Sequence, residues 1–234
     1  MESLQDFFAR EVAAAQAHIT AMVEQQNRFW REVHESHDQW QRATAIVCNR
    51  LPVRGWYMSG QEPAPLVVQL ARRIEAEAWA DVDRLMLQHV PVFRLDAVSP
   101  RLASKGVPVY CIDRLRRFFD HHQKGNYEEA TYLGVPLLDE VCLHLYGTEF
   151  TRKSPPTLIS STSAKAALSS LGQEFVSDFG SLQNKIEDAR LQDEDYWCRH
   201  AILHGKMRRP MGIKDSAKCC MALAFLIRNH DERE

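Results

Sequence analysis

The sequence predicts an all-α protein with a long N-terminal helix. Three observations carry this. Ala, Leu, Glu, Gln and Arg, all good helix formers, are abundant, while Gly and Pro number only 10 each in 234 residues. Apolar residues recur every three or four positions through the first fifty residues, with no Gly or Pro before Pro52. Later segments repeat that spacing, and none shows the strict alternation of a half-buried strand.

Residues 2–49 read as one long helix, or two in line. Phe8, Val12, Ala15, Ile19, Met22, Phe29, Val33, Trp40 and Val47 form a heptad-like stripe, with Gln26 and His37 also on it. The stripe suits a helix packed on its own domain, and equally a coiled-coil or dimer arm. Residues 50–65 break the pattern with Gly55, Gly60, Pro63 and Pro65, and Trp56 and Tyr57 are expected to plug the core. Pro65 opens a helix expected to run to about Gln88, with Val67, Leu70, Ile74, Ala78 and Leu85 on one face. Residues 91–108 read as irregular because of Pro91, Pro100, Gly106 and Pro108. A helix is expected from about Val109 to Lys124, stopped by Gly125 and Asn126. Another is expected from Tyr127 to Leu145 or Tyr146, with Pro136 inside it.

Residues 150–163 form a linker candidate rich in Pro, Ser, Thr and basic residues. A helix is expected from about Ala164 to Phe179, and a second from Leu182, capped by Ser181, towards His200. Gly205, Pro210 and Gly212 then mark a loop, and the last helix starts near Asp215 or Ser216. A division near residue 95 separates an N-terminal helical region, 1–95, from a second domain, 96–234.

The bulk numbers narrow the function. Net charge is −2, so a general nucleic-acid-binding surface is not indicated, and RNA binding would need a local patch. No apolar run is long enough to span a bilayer, and Met1 to Arg10 lack an apolar targeting core, so a cytoplasmic protein with no membrane partner is expected. The six cysteines, Cys48, Cys111, Cys142, Cys198, Cys219 and Cys220, lie in apolar helical patterns without a CxxC pair and read as buried thiols of a reducing compartment. Cys198, His200 and His204 come closest to a zinc set, but their order fits no common zinc pattern. No metal and no cofactor is expected.

The stretch that can carry chemistry is YWCRHAILHG, Tyr196 to Gly205, which gathers Arg199, His200 and His204. If it is helical, Arg199 and His204 lie about 140° apart, so a site built from two such segments across a two-fold axis would bring them together better than one alone. The residue types suit phosphodiester cleavage. Histidine titrates near neutrality and can take a proton from a ribose 2′-OH or give one to a leaving 5′-oxygen. Arginine stays charged and can clamp phosphate oxygens as charge builds.

Arg199, His200 and His204 resemble the signature of the HEPN family: an Arg, a polar residue, and a His after four to six intervening positions. The segments RGWYMSG and HHQKGNYEEATYLGVPLLDEVCLHLYG are similar to HEPN proteins linked to bacterial and phage abortive infection. The resemblance implies a helical bundle of HEPN type and a homodimer with a shared cleft. It implies metal-independent RNA cleavage, in the service of a toxin or antiviral defence effector. By position, Arg199 would bind the scissile phosphate, His204 would be general acid or base, and His200 would position the phosphate or hold His204. An antitoxin or regulatory protein is a further implied partner. Lys206 stands where toxins of this family paired with nucleotidyltransferases usually carry Tyr, which puts that form of regulation in doubt.

Each residue also has a plainer reading. His204 before Gly205 can cap a helix C-terminus. Arg199 can pair with Asp193 or Asp195 on the surface. Lys206, Arg208 and Arg209 suit a solvated loop or a local RNA-binding patch. His121 and His122 read as solvated, and Tyr196 and Trp197 as core. The alternative function is a non-catalytic HEPN-like scaffold that binds nucleic acid or a partner protein.

Overall fold

A computed structural model describes residues 4–58, 62–90, 95–147, 188–193 and 197–230. The described residues are all-helical, with eight α-helices and no strand. The expected linker at 150–163, the helix from 164 to 179 and Tyr196 lie outside them. By contact, the chain divides into two units, Met1–Arg42 and Ala43–Glu234.

The first unit is a single stretch of helix α1, which runs unbroken from Leu4 to Arg50. Residues 18–39 are exposed on every face of that helix. The exposed set includes Ile19, Met22, Val23, Phe29, Trp30 and Val33.

The second unit holds the core. Ala43, Val47 and Cys48, the last apolar positions of α1, are buried in it, and so are Leu51, Trp56 and Tyr57 from the turn that follows. Trp56 donates its Nε1–H to Asp83 at 2.8 Å, which lets a large polar-tipped ring fill the centre. The expected division near residue 95 falls inside this unit. Trp56, Leu70, Ile74 and Met86 share one cluster with Phe118 and Phe225.

The expected helix from Pro65 to Gln88 is two helices, α2 (Ala64–Glu75) and α3 (Trp79–Gln88). The break lies at Glu77, which has φ of 52°. Its carboxylate accepts from Arg50 at 2.6 Å and from Trp79 Nε1 at 2.8 Å, and these bonds hold a backbone that helical spacing alone would not adopt. The irregular region likewise contains a helix, α4 (Leu95–Ser104), with Pro100 inside. Leu95, Val98 and Leu102 pack one face of it into the core. Pro100 and Asp96, the residue whose carbonyl loses its helical N–H partner, are both exposed to water, which lowers the cost of the proline.

Helices α5 (Val109–Gln123) and α6 (Tyr127–Tyr146) follow where the spacing places them. Helix α6 packs against α5 on one side and against the last helix, α8 (Ile213–Asn229), on the other. Gly134 permits this. A Cβ there would lie 2.7 Å from Phe118 Cε2 on α5 and 2.8 Å from Cys219 Cβ on α8. Helix α8 is buried without interruption from Asp215 to Ile227. Its one buried lysine, Lys218, sits 5.6 Å from the centre of the Trp56 ring. All six cysteines are buried. Burial, and then the charge of Glu140, pushes the Cys111 thiol up to about 12, and burial raises Cys142, Cys219 and Cys220 as well. Among the described residues, no helix is long and apolar enough to cross a membrane.

Candidate functional site

The expected helix from Leu182 towards His200 is not continuous. Asp188–Arg190 forms one 3-10 turn, and Trp197 and Cys198 precede a new short helix, α7 (Arg199–Leu203). The Arg/His segment therefore spans a short helix of its own rather than the end of a longer one. Its local pattern explains this. Cys198, Ala201 and Ile202 are buried, at the one-, three- and four-residue spacings of a helix face, while Leu203 and His204 are exposed. Trp197 is buried, in keeping with a core role. Helix α7 packs on α6.

Helix α7 ends in a Schellman motif. Gly205 donates to Ile202 O at 3.0 Å and Lys206 to Ala201 O at 2.8 Å, with Gly205 at φ of 62°. His204 is therefore the last residue before a left-handed glycine, and it is exposed. His204 thus stands at a helix C-terminus, as its place before Gly205 implied.

Arg199 does not meet Asp193, and Asp195 lies outside the described residues. Arg199 Nη2 donates to Oδ2 of Asp139 on α6. The pair is partly buried, with side-chain exposures of 24% and 13%, so it is less screened than a surface bridge. Arg199 Nε is buried and makes no hydrogen bond among the described residues. Asp193 instead meets Arg190 at 3.4 Å. Next to Asp139, Glu140 takes an ion pair from Arg114 of α5, so two carboxylates in the middle of α6 each hold one arginine. The side chain of His200 lies outside the described residues.

The three expected RNA-binding cations separate. Lys206 and Arg208 are exposed. Arg209 is not part of a free patch. It makes a two-pronged ion pair with Asp215 at 2.7 and 2.8 Å, and its Nε–H donates to Asp193 O at 3.0 Å. Asp215 is 2% exposed and also accepts from the Gly212 N–H at 2.9 Å, closing the N-terminus of α8. Arg209 is thus a structural residue that ties the loop to α8, because a buried carboxylate needs a cation there.

His122 also departs from expectation. It is half-buried, its Nδ1 lies 2.9 Å from Ser216 Oγ, and its ring lies near Phe118 and Tyr127. Burial lowers its pKa from the ordinary histidine value. Among the described residues, no three His, Cys, Asp or Glu side chains converge as a bound cation would require.

Sequence reasoning missed Asp139. Its signal was faint: an Asp-Glu pair inside the otherwise apolar run VPLLDEVCL. No protein-family model, curated protein or solved structure matches the chain.

Proposed function

We propose that this chain is a homodimeric, metal-independent endoribonuclease of HEPN type, acting in the cytoplasm as a defence or toxin effector under an antitoxin or regulatory protein. The observation that carries the reading is the short segment around α7. One half-buried arginine, oriented by Asp139, opens α7, an exposed histidine follows its last turn, and the exposed cations Lys206 and Arg208 come directly after. A guanidinium held in place needs little reorganisation to meet a phosphate.

In this reading the ribose 2′-oxygen attacks phosphorus and the bond to the 5′-oxygen breaks. The proton lost by the 2′-hydroxyl is, in net, gained by the 5′-oxygen. His204 carries out one of these transfers, Arg199 stabilises the charge on phosphorus-bound oxygens, and His200 positions the phosphate. Lys206 and Arg208 attract RNA. The products are a 2′,3′-cyclic phosphate and a 5′-OH.

A second reading draws on the same ion pair. An arginine already engaged by Asp139 within its own chain suits a non-catalytic HEPN-like scaffold that binds nucleic acid or a protein. Incubation of a mixed RNA pool with the purified protein in EDTA separates the two. Cleavage by wild type, lost in both Arg199→Ala and His204→Ala, is the expected result. Cleavage that survives in His204→Ala overturns the enzyme reading, and RNA retention without cleavage favours the scaffold.

A further inference from the structure

We propose that α1 pairs with a second copy of itself as a parallel, in-register, two-stranded coiled coil. This inference does not rest on the ribonuclease reading. It starts from the exposed residues 18–39, a helical stretch whose apolar side chains have no cover among the described residues. Ile19 is 60% exposed, Met22 57%, Phe29 57% and Trp30 50%. A lone helix of this length is marginal in water, and most helical stability comes from packing an apolar face.

The register is a heptad one. Ile19, Gln26, Val33 and Trp40 fall at successive a positions, and Met22, Phe29 and Ser36 at successive d positions. Val23 and Trp30 flank the seam at e. The opposite face is charged, and its signs alternate four residues apart: Glu24 and Arg28, Arg31 and Glu35, Asp38 and Arg42. One face therefore suits water and the other an apolar partner.

Three features select a second copy in parallel alignment. First, in a parallel pair each g position faces the e position five residues later on the other chain. Within the exposed stretch those pairs are His18 with Val23, Gln25 with Trp30, and Glu32 with His37. None sets like charges together, and Glu32 with His37 is attractive when the imidazole is protonated. Second, Gln26 is one polar residue at an a position. In register it meets the second copy's Gln26, where two amides can hydrogen-bond, whereas any shift buries it against an apolar layer. Third, the a positions Ile19 and Val33 are β-branched, the preference of two-stranded parallel coils. The area is adequate. The six large exposed side chains together offer on the order of 500 Å² of apolar surface per helix, and the aliphatic stems beside them bring this near the roughly 800 Å² per partner of a stable interface.

The test uses the full chain. Light scattering after gel filtration is expected to give twice 26.9 kDa. Phe29→Glu sets two like charges in the seam and is expected to raise the dimer dissociation constant on the order of 100-fold, with the melting of the second unit unchanged. Gln26→Cys and Val33→Cys, both at a, are each expected to form a disulfide between copies under mild oxidation. Asp38→Cys on the outer face is not, nor is wild type, whose own cysteines are buried. A monomeric wild type overturns the proposal, as does a dimer indifferent to Phe29→Glu. Crosslinking at only one of the two a positions also overturns it, because an antiparallel pair can match a residue with itself only at its crossing point.

Discussion

Replacing Gly134 with Ala tests the packing at the centre of the second unit. On an exposed helix this change stabilises by about 1 kcal/mol, because alanine has the higher helix propensity. Here the new methyl would stand 2.7 Å from Phe118 Cε2, 2.8 Å from Cys219 Cβ and 3.1 Å from Cys219 Sγ. Carbon atoms rest at about 3.5–4.0 Å, so the deficit is roughly 1 Å on two sides at once. The Phe118 ring is buried and packed edge-on against Phe119 at 4.9 Å, so it has little room to turn. The Cys219 Cβ is fixed by its own backbone. Relief requires α6 to move away from α5 and α8 together, at an overpacking cost of about 1–3 kcal/mol beyond the propensity gain. The expected net loss is about 2 kcal/mol, or a fall in melting temperature of roughly 4–8 °C. Circular dichroism melts and urea titrations of wild type and Gly134→Ala measure it. A variant as stable as wild type, or more so, refutes the close approach of α6 to both neighbours.

Three further outcomes follow from the same geometry. Arg209→Ala leaves Asp215 buried without its cation and is expected to cost about 3 kcal/mol in chemical denaturation, whereas Arg208→Ala at the exposed neighbour stays within about 0.5 kcal/mol. Burial lowers the pKa of His122, so the native chain binds that proton less readily than the unfolded one. Its contribution to stability is constant above the ordinary histidine range and falls as pH drops through about 6.5 towards the native value, by at most about 1.4 kcal/mol per pH unit, a slope that His122→Gln is expected to remove from melts between pH 7.5 and 5. On the ribonuclease reading, Asp139→Ala frees Arg199 and is expected to lower kcat by about 100-fold without moving the pH profile, and Asp139→Glu to recover part of the rate; an unchanged kcat would show that Asp139 does not position Arg199 for catalysis.

The helical architecture was legible wherever local spacing and the tertiary environment agree. α1, α5 and α6 lie within a residue or two of their expected bounds, because an apolar face at helical spacing was the only pattern present. The break between α2 and α3 was hidden, since the apolar spacing continues through it. The partners that hold the bend at Glu77 are Trp79, two positions on, and Arg50, 27 positions back, and no local window reveals the second. Helix α4 was hidden by Pro100, whose cost is lowered by exposure, a property of the fold rather than of the segment. Arg199 and His204 stood out in the sequence because only four residues separate them. Asp139 did not, because it is 60 positions away from the arginine it holds. Arg209 looked like its basic neighbours, and only the buried Asp215 distinguishes it.

The buried course of α8 has a consequence for how the protein is made. α5 and α6 emerge from the ribosome about seventy residues before the helix that completes their core. At roughly 5–20 residues per second, the nascent chain holds the unpaired apolar faces of α5 and α6 open for several seconds or more. During that interval Leu138, Val141 and Phe118 have no α8 to pack on, and a chaperone or another nascent chain can compete for them. Substitutions that weaken α8, such as loss of the Asp215 cap, would then reduce the yield of folded protein in cells by more than their effect on the finished molecule implies.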